Sequence, residues 1–204
     1  MRWIGITGGL GCGKTTVAKM LIRRGFPVLD ADKISQEVVE RGSPGLHQIV
    51  KEFGAELLDS EGELNRLKMA QIVFKDSEWL KKLESIIHPL VQQAVNEKRR
   101  WLEAQGTEIA FYDVPLLFEK NLEKQFDGVV VVTCSEEQQI ERIRARSHWG
   151  KSEIQERLNA QLPLREKVKR ATFVLKNDSD LKSLEKQLEI LLVELREHSI
   201  LDGP

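Results

Sequence analysis

Residues Gly8-Gly9-Leu10-Gly11-Cys12-Gly13-Lys14-Thr15 satisfy the spacing G-x-x-x-x-G-K-S/T of a phosphate-binding P-loop. The segment before them, Trp3-Ile4-Gly5-Ile6-Thr7, is a short apolar run suited to a buried strand. The segment after them, Thr15 to Arg24, places Val17, Met20, Leu21 and the stem of Arg24 at helical spacing. A loop joining a strand to a helix is the context that gives this pattern physical meaning. Glycines at 8, 11 and 13 let the backbone turn with positive φ and bring N–H groups close to an anion. The helix N-terminus adds its partial positive charge. In such a loop Lys14 reaches the β- and γ-phosphates and the Thr15 hydroxyl ligates Mg²⁺, whereas a plain Gly-rich turn would bind nothing.

Beyond the loop the pattern alternates β and α, broken by a long helical insert. Gly25 to Asp30 reads as a second strand, Ile109 to Val114 as a third, Val129 to Val132 as a fourth and Phe173 to Leu175 as a fifth. From Asp32 to about Trp101 the spacing is mainly helical: Ile34, Val38 and Val39 share one face, and Leu80, Leu83, Ile86 and Ile87 share another. Pro44-Gly45 and Asp59 to Gly62 punctuate this stretch. Helices follow at Glu136–Arg146, Glu153–Gln161 and Leu181–Glu197, the last with Leu184, Leu188, Leu191, Leu192 and Leu195 as an apolar stripe for the core. Asp202 belongs to what reads as a frayed acidic end. Continuous β-branched runs between helices imply a parallel sheet covered on both faces.

Composition sets the outer bounds. The 204 residues suffice for one core plus an inserted subdomain or lid. With 31 Lys+Arg against 32 Asp+Glu the net charge is −1, which gives no electrostatic case for nucleic acid. No stretch approaches the roughly 18 apolar residues of a membrane span, and no charged-then-apolar leader opens the chain. Two cysteines, Cys12 and Cys134, are too few for a disulfide scaffold, so the expected compartment is the cytoplasm. The expected assembly is a monomer or weak homo-oligomer.

A P-loop specifies phosphate, not a reaction. A GTPase switch needs D-x-x-G after the third strand and N-K-x-D later. Asp59-Ser60-Glu61-Gly62 has the first set of letters but lies in the helical insert, and Asn177-Asp178-Ser179-Asp180 lacks the lysine. A motor-type ATPase would end an apolar strand in Asp-Glu, whereas the third strand here ends Asp113-Val114-Pro115. A small-molecule kinase needs an acceptor site, a base for the acceptor hydroxyl and a cationic lid that excludes water. A nucleotide-dependent switch remains the alternative from another class, and a nucleoside or nucleotide kinase the alternative within this one.

Candidates for the kinase parts are present. Asp30-Ala31-Asp32 ends the second strand, and in extended chain residues two apart point the same way. Ligands of parallel sheets gather at the carboxyl ends of strands, so Asp32 is the candidate base or Mg²⁺ ligand, with Asp30 supporting it or capping the next helix. Arg142 and Arg146 stand four apart, with Arg157 further on. They make either an exposed lid clamp on phosphate oxygens or a solvated face paired with Glu137 and Glu141.

Several motifs together resemble the dephospho-coenzyme A kinase family: TGGLGCGKTTVA at 7–18, VLDADKI at 28–34, FGAELLDSEGELNR at 53–66, His88-Pro89, DVPLLFE at 113–119, ERLNAQLPLREK at 156–167 and ATFVLKN ending at Asn177. The resemblance implies an α/β P-loop kinase fold, with a five-stranded parallel sheet flanked by helices, a helical acceptor-binding insert and a lid. Residues 1–34, 104–135 and 168–204 would form the nucleotide-binding core, 35–103 the acceptor region and 136–167 the lid. It implies transfer of the ATP γ-phosphate to the ribose 3′-hydroxyl of dephospho-coenzyme A, the last step of coenzyme A synthesis, with Mg²⁺. Gly8, Gly11, Cys12, Gly13, Lys14, Thr15 and Thr16 would hold the phosphates and Asn177 would lie near the adenine. Asp32 would be the base and, with Thr15, a metal contact; Lys14 and Arg142 would act on the transferred group. Arg66, His88 at a helix end, Pro115 and Leu116 would position the acceptor. Two departures stand out: Ser147, followed by His148 and the aromatic Trp149, replaces a common Asp, and Cys12 replaces a common Ser. A thiol at a helix N-terminus tends to a lowered pKa and to oxidation, unless Cys12 is simply a tolerated small residue.

Overall fold

The computed structural model describes residues 1–73, 76–147 and 149–201, so the expected frayed tail at Asp202, and His148, lie outside the described residues. The chain divides into two compact units, Met1–Val28 with Glu108–Pro204, and Leu29–Thr107.

The first unit carries most of a five-stranded parallel sheet, whose second strand begins at the unit's last residue before the boundary, Val28. Strands β1 (Arg2–Gly8), β2 (Val28–Asp30), β3 (Ile109–Asp113), β4 (Gly128–Thr133) and β5 (Phe173–Lys176) lie in the order β2-β3-β1-β4-β5. Strand β1 is central: Ile4 pairs with Phe111 on one side and with Gly128 on the other. Buried on both faces, β1 and β4 are near-continuous apolar runs, as a sheet covered on both sides requires. Helices α1 (Lys14–Arg23) and α9 (Leu181–Leu201) supply much of that cover. Val17, Met20 and Leu21 of α1 and Leu184, Leu188, Leu191, Leu192 and Leu195 of α9 join Ile4, Ile6, Val130 and Val132 in one core cluster. The leucine stripe is therefore core packing, as its spacing implies.

The second strand is shorter than the sequence suggests. Gly25 and Phe26 do not extend it; their N–H groups donate to the carbonyls of Ile22 and Leu21 at 3.0 and 3.1 Å and close the last turn of α1. Pairing resumes only at Pro27, whose carbonyl accepts from the Phe111 N–H at 2.9 Å.

The second unit is helical: α2 (Ala31–Glu37), α3 (Pro44–Phe53), α4 (Arg66–Val73) and α5 (Ser77–Ala104). Its core gathers Val39, Ile49, Phe53, Leu57, Met69 and Val73, with Leu83, Ile86 and Ile87 of α5 packed against them. Leu80, assigned to the same face by spacing, sits at the rim of that packing and is 36% exposed. Ser43 caps α3 by accepting from the Leu46 N–H, and Pro44 fills the first turn, where a missing N–H costs nothing. The Asp59 carboxylate accepts from the N–H groups of Glu61 and Glu63 at 2.9 and 3.0 Å. The D-x-x-G letters thus form an Asx-type turn and no nucleotide switch.

Helix α5 runs through Pro89. Pro89 donates no hydrogen bond; Leu83, Ile86 and Ile87 before it pack on the core of this unit, and Val95 and Leu102 after it are buried. His88 is consequently in the middle of a long helix, which corrects the helix-end position expected from the His-Pro step.

The stripe on α9 yields a direct test. Leu188 is fully buried, so Leu188→Ala should lower the unfolding free energy by roughly 2–5 kcal/mol. Chemical denaturation followed by circular dichroism measures this; a loss below about 1 kcal/mol would mean that α9 is not a core helix.

Candidate active site

The loop from Gly8 to Thr15 leaves β1 at the centre of the sheet and enters α1 directly. Gly11 and Gly13 have φ of 79° and 93°, values that an L side chain adopts only with strain. Gly13 also has no room for a Cβ, which would collide with the Asn177 side-chain amide. No side chain caps the N-terminus of α1. Its first N–H groups are thus available to an anion, where the helix field favours negative charge.

The loop is held from several directions within this unit. The Asn177 side-chain N–H donates to the Cys12 carbonyl at 2.9 Å, and the Asn177 backbone N–H donates to the Thr133 carbonyl at 2.8 Å. The Gln139 amide, buried on α6 (Glu136–Arg146), donates to the Leu10 carbonyl at 2.8 Å. Arg142, one turn further along α6, donates from Nη2 to the Asn177 carbonyl at 3.0 Å, while its Nη1 is buried with no hydrogen-bond partner. Arg142 is half-buried beside the loop and is not the exposed arginine expected of a lid. It sits where α6 packs on the loop through Gln139 and Ile143. Arg146 on the same helix is exposed. Arg157 places its guanidinium 3.9 Å over the Trp149 ring and also donates to Glu153 at 3.1 Å. The unexpected aromatic therefore holds the third arginine of the set by a cation–π contact. The Ser147 hydroxyl donates to the Ile143 carbonyl at 2.8 Å and finishes α6.

Lys14 forms a close ion pair with Asp113 at the carboxyl end of β3. Asp113 is only 5% exposed. A buried carboxylate there fixes where the lysine ammonium sits. Sequence reasoning noted that β3 ends in aspartate but gave the residue no role. The signal was the motif letters DVPLLFE, which do not say which side chain meets Lys14.

The following segment is tied down as well. The Pro115 carbonyl accepts from the Thr7 hydroxyl at 3.0 Å, and Leu116 beside it is 40% exposed. Glu119 pairs with the fully buried Lys167 at 2.8 Å and accepts from the Leu162 N–H at 2.8 Å. Lys167 lies on α8 (Leu164–Arg170). Burial pushes the Glu119 carboxyl up, but the bonds from Lys167 and Leu162 outweigh it and leave the group below the ordinary value. This pair joins the DVPLLFE and LPLREK motifs, and single-sequence reasoning missed it because nothing in the spacing pairs positions so far apart.

The thiols reverse an expectation. Cys12 is fully buried, and contact with Cys134 together with burial pushes its thiol up, not down. The lowered thiol is Cys134, through the hydrogen bond with Cys12 and, less strongly, the nearby Arg142 charge.

The second unit carries the remaining candidates. Asp30 is the N-cap of α2, its carboxylate accepting from the N–H groups of Asp32 and Lys33 at 2.9 and 3.1 Å. Asp32 thus stands exposed in the first turn of a helix. The two-residue alternation of extended chain, from which its direction was first argued, does not apply to it. Arg66 opens α4 and is exposed. His88 is exposed on α5, 3.8 Å from Glu84.

A glycine cradle at a strand–helix junction, a lysine held by a strand-end aspartate and a separate helical unit define a P-loop kinase. The sequence matches the dephospho-CoA kinase family over residues 2–183. A dephospho-CoA kinase of Bdellovibrio bacteriovorus is 47% identical over 197 residues, covering 97% of this chain and 98% of the relative. A crystal structure from Thermus thermophilus, TT1252, superposes with a TM-score of 0.81 at 39% identity over 95% of this chain and 97% of that one. Dephospho-CoA kinase from Campylobacter jejuni superposes with a TM-score of 0.74 at 26% identity, over 97% and 98% of the two chains. The chain belongs to the dephospho-CoA kinase family.

The Glu119–Lys167 pair generates a pH-dependent test. Because the folded Glu119 value is lowered, its stabilisation is complete above the unfolded value of about 4.3 and is lost as pH falls through the folded one. Glu119→Gln leaves Lys167 buried without an anionic partner and should cost roughly 3–5 kcal/mol at neutral pH. It should also flatten the fall in stability between neutral pH and about pH 3. Urea midpoints at both pH values check this, and parallel curves for the two proteins would contradict it.

Proposed function

We propose that the protein transfers the γ-phosphate of ATP to the ribose 3′-hydroxyl of dephospho-coenzyme A, giving coenzyme A and ADP. The observation that carries this reading is the glycine cradle with its anchored Lys14, found in a chain that matches the family from residue 2 to residue 183. ATP and dephospho-coenzyme A are then the small-molecule partners. Among the described residues no helix is long and apolar enough to cross a membrane.

The roles follow from chemistry. In the stretch from Gly11 to Thr16, the N–H groups of Gly11, Gly13, Lys14 and Thr15 hold the β- and γ-phosphates while those of Cys12 and Thr16 brace the loop on the Gly9 and Gly13 carbonyls, and Lys14 turns from Asp113 to the oxygens whose charge changes during transfer. The unpartnered Nη1 of Arg142, beside Asn177, is a buried donor suited to a nucleotide oxygen. Asp32 accepts the proton of the acceptor hydroxyl, whose oxygen attacks the γ-phosphorus as ADP leaves. Arg66, His88, Pro115 and Leu116 position the acceptor.

The donor set fits Mg²⁺. Thr15 is exposed at the start of α1 and offers a hydroxyl, and Asp32 offers a carboxylate. Mg²⁺ takes few protein ligands and relies on substrate phosphates for the rest of its shell. When bound, the ion neutralises charge on the β- and γ-oxygens.

A coupled ADP-release assay tests the reading. ATP turnover should rise strongly on adding dephospho-coenzyme A, with coenzyme A appearing by mass, and Lys14→Ala should lower kcat by roughly 10²–10⁴-fold. Stimulation by a nucleoside or nucleotide in its place would overturn the acceptor, and acceptor-independent hydrolysis would point to a switch. Arg142→Ala should lower kcat at least about tenfold, beyond the modest drop in melting temperature expected from losing its bond to the Asn177 carbonyl; a lowered melting temperature with unchanged kcat would make Arg142 a packing residue.

A further inference from the structure

Cys12 and Cys134 are the only two cysteines of the chain. They lie 122 positions apart, both are free thiols, and their Sγ atoms are 2.6 Å from each other. One sits between Gly11 and Gly13 in the phosphate loop, and the other follows β4. Their access differs. Cys12 is sealed, whereas Cys134 keeps 7% of its surface and borders a cleft of about 680 Å³ that is also lined by Gly9, Gln139, Leu158 and Leu162.

We propose that Cys134 and Cys12 form a reversible disulfide when a hydroperoxide enters this cleft, and that the bond disables the phosphate loop. The consequence for turnover rests on the loop being the ATP site; formation of the bond does not. The Cys134 thiol gives up its proton as its sulfur attacks one oxygen of hydrogen peroxide; the O–O bond breaks and the departing hydroxide takes up that proton and leaves as water, so that Cys134 becomes a sulfenic acid. The Cys12 sulfur then attacks the Cys134 sulfur. The S–S bond forms as the S–O bond breaks, and the Cys12 proton leaves with the hydroxyl as a second water. Two thiols are oxidised by two electrons, and one hydroperoxide is reduced by the same two. The division of labour follows the surroundings: Cys134 has the open cleft, with the Arg142 charge beside it, while Cys12 waits at contact distance as the resolving thiol.

The bond acts on the loop through Cys12. The Cys12 carbonyl accepts from Asn177, and its N–H donates to the Gly9 carbonyl at 3.1 Å. Lys14 follows two residues later. Closing the 2.6 Å contact to the roughly 2.05 Å of a disulfide moves the sulfurs by only about half an ångström, so the bond acts by tying the loop covalently to the end of β4 and removing the freedom its donors need to close on the phosphates.

The test uses the full chain, reduced and free of nucleotide, treated with hydrogen peroxide and then assayed for dephospho-coenzyme A-dependent ADP release. Turnover should fall at least about tenfold, a peptide pair linked through Cys12 and Cys134 should rise in step by non-reducing mass spectrometry, and dithiothreitol should reverse both. Cys134→Ser, measured against its own untreated rate, should inactivate at least about tenfold more slowly. Oxidation without the linked pair, or inactivation of Cys134→Ser at the wild-type rate, would overturn the proposal. A linked protein with unchanged turnover would overturn the regulatory role. If the untreated enzyme ignores dephospho-coenzyme A, the functional reading fails, while the mass readout still decides whether the bond forms. Should Cys134→Ser fail to fold, the linked pair in the wild-type chain decides alone.

Discussion

Strand β1 is hydrogen-bonded to β3 on one side and to β4 on the other, and everything at the site depends on that constraint. A strand paired on both edges and buried on both faces cannot slip by one residue without turning its apolar side chains to the wrong face. The point where the chain leaves the sheet is therefore fixed. The loop that follows turns through Gly11 and Gly13 and delivers the uncapped N-terminus of α1 to that same point. A rigid origin and a helix start with unsatisfied donors make a phosphate site before any charged side chain is considered.

Charge then completes the cradle. A buried aspartate at the end of β3 holds Lys14, and the next residues of that segment are fixed by the Thr7 hydroxyl and by the Glu119–Lys167 pair. Glu119 leaves one oxygen buried without a partner, so the pair contributes more to fixing register than to net stability. Together these contacts link the phosphate loop, the DVPLLFE segment and α8 into one network inside the first unit. Arg142 joins it from α6 through Asn177, which is how a residue far along the chain comes to stand beside the loop.

The sheet was legible in the sequence because its strands are apolar runs with no competing helical period, and the cradle was legible because glycines and lysine at fixed spacing have few other uses. The start of β2 was misread at Gly25, where the capping turn of α1 borrows residues that look like strand. The direction argued for Asp32 does not hold: the cap made by Asp30 starts α2 early and removes the alternation on which that argument rested. His88 was misplaced because Pro usually marks a helix boundary, whereas here apolar residues packed before it and buried after it carry α5 across. Contacts between distant segments, Lys14 with Asp113, Glu119 with Lys167 and Cys12 with Cys134, could not be read from one sequence, since they are set by tertiary approach and not by local period. The thiols show the cost of local reasoning most plainly. A helix N-terminus lowers a thiol pKa in isolation, but burial against a second sulfur reverses the order.

The proposed reaction needs a base for the acceptor hydroxyl, and Asp32 is the residue proposed for it. Replacing Asp32 with Asn and measuring both ATP affinity and turnover of dephospho-coenzyme A tests it most directly. In Asp32→Asn kcat should fall by roughly 10²–10⁴-fold, while the ATP dissociation constant measured without Mg²⁺ stays within about threefold of wild type, because the phosphate loop and Lys14 are untouched. Near-normal kcat in Asp32→Asn would contradict it and move the base to another residue.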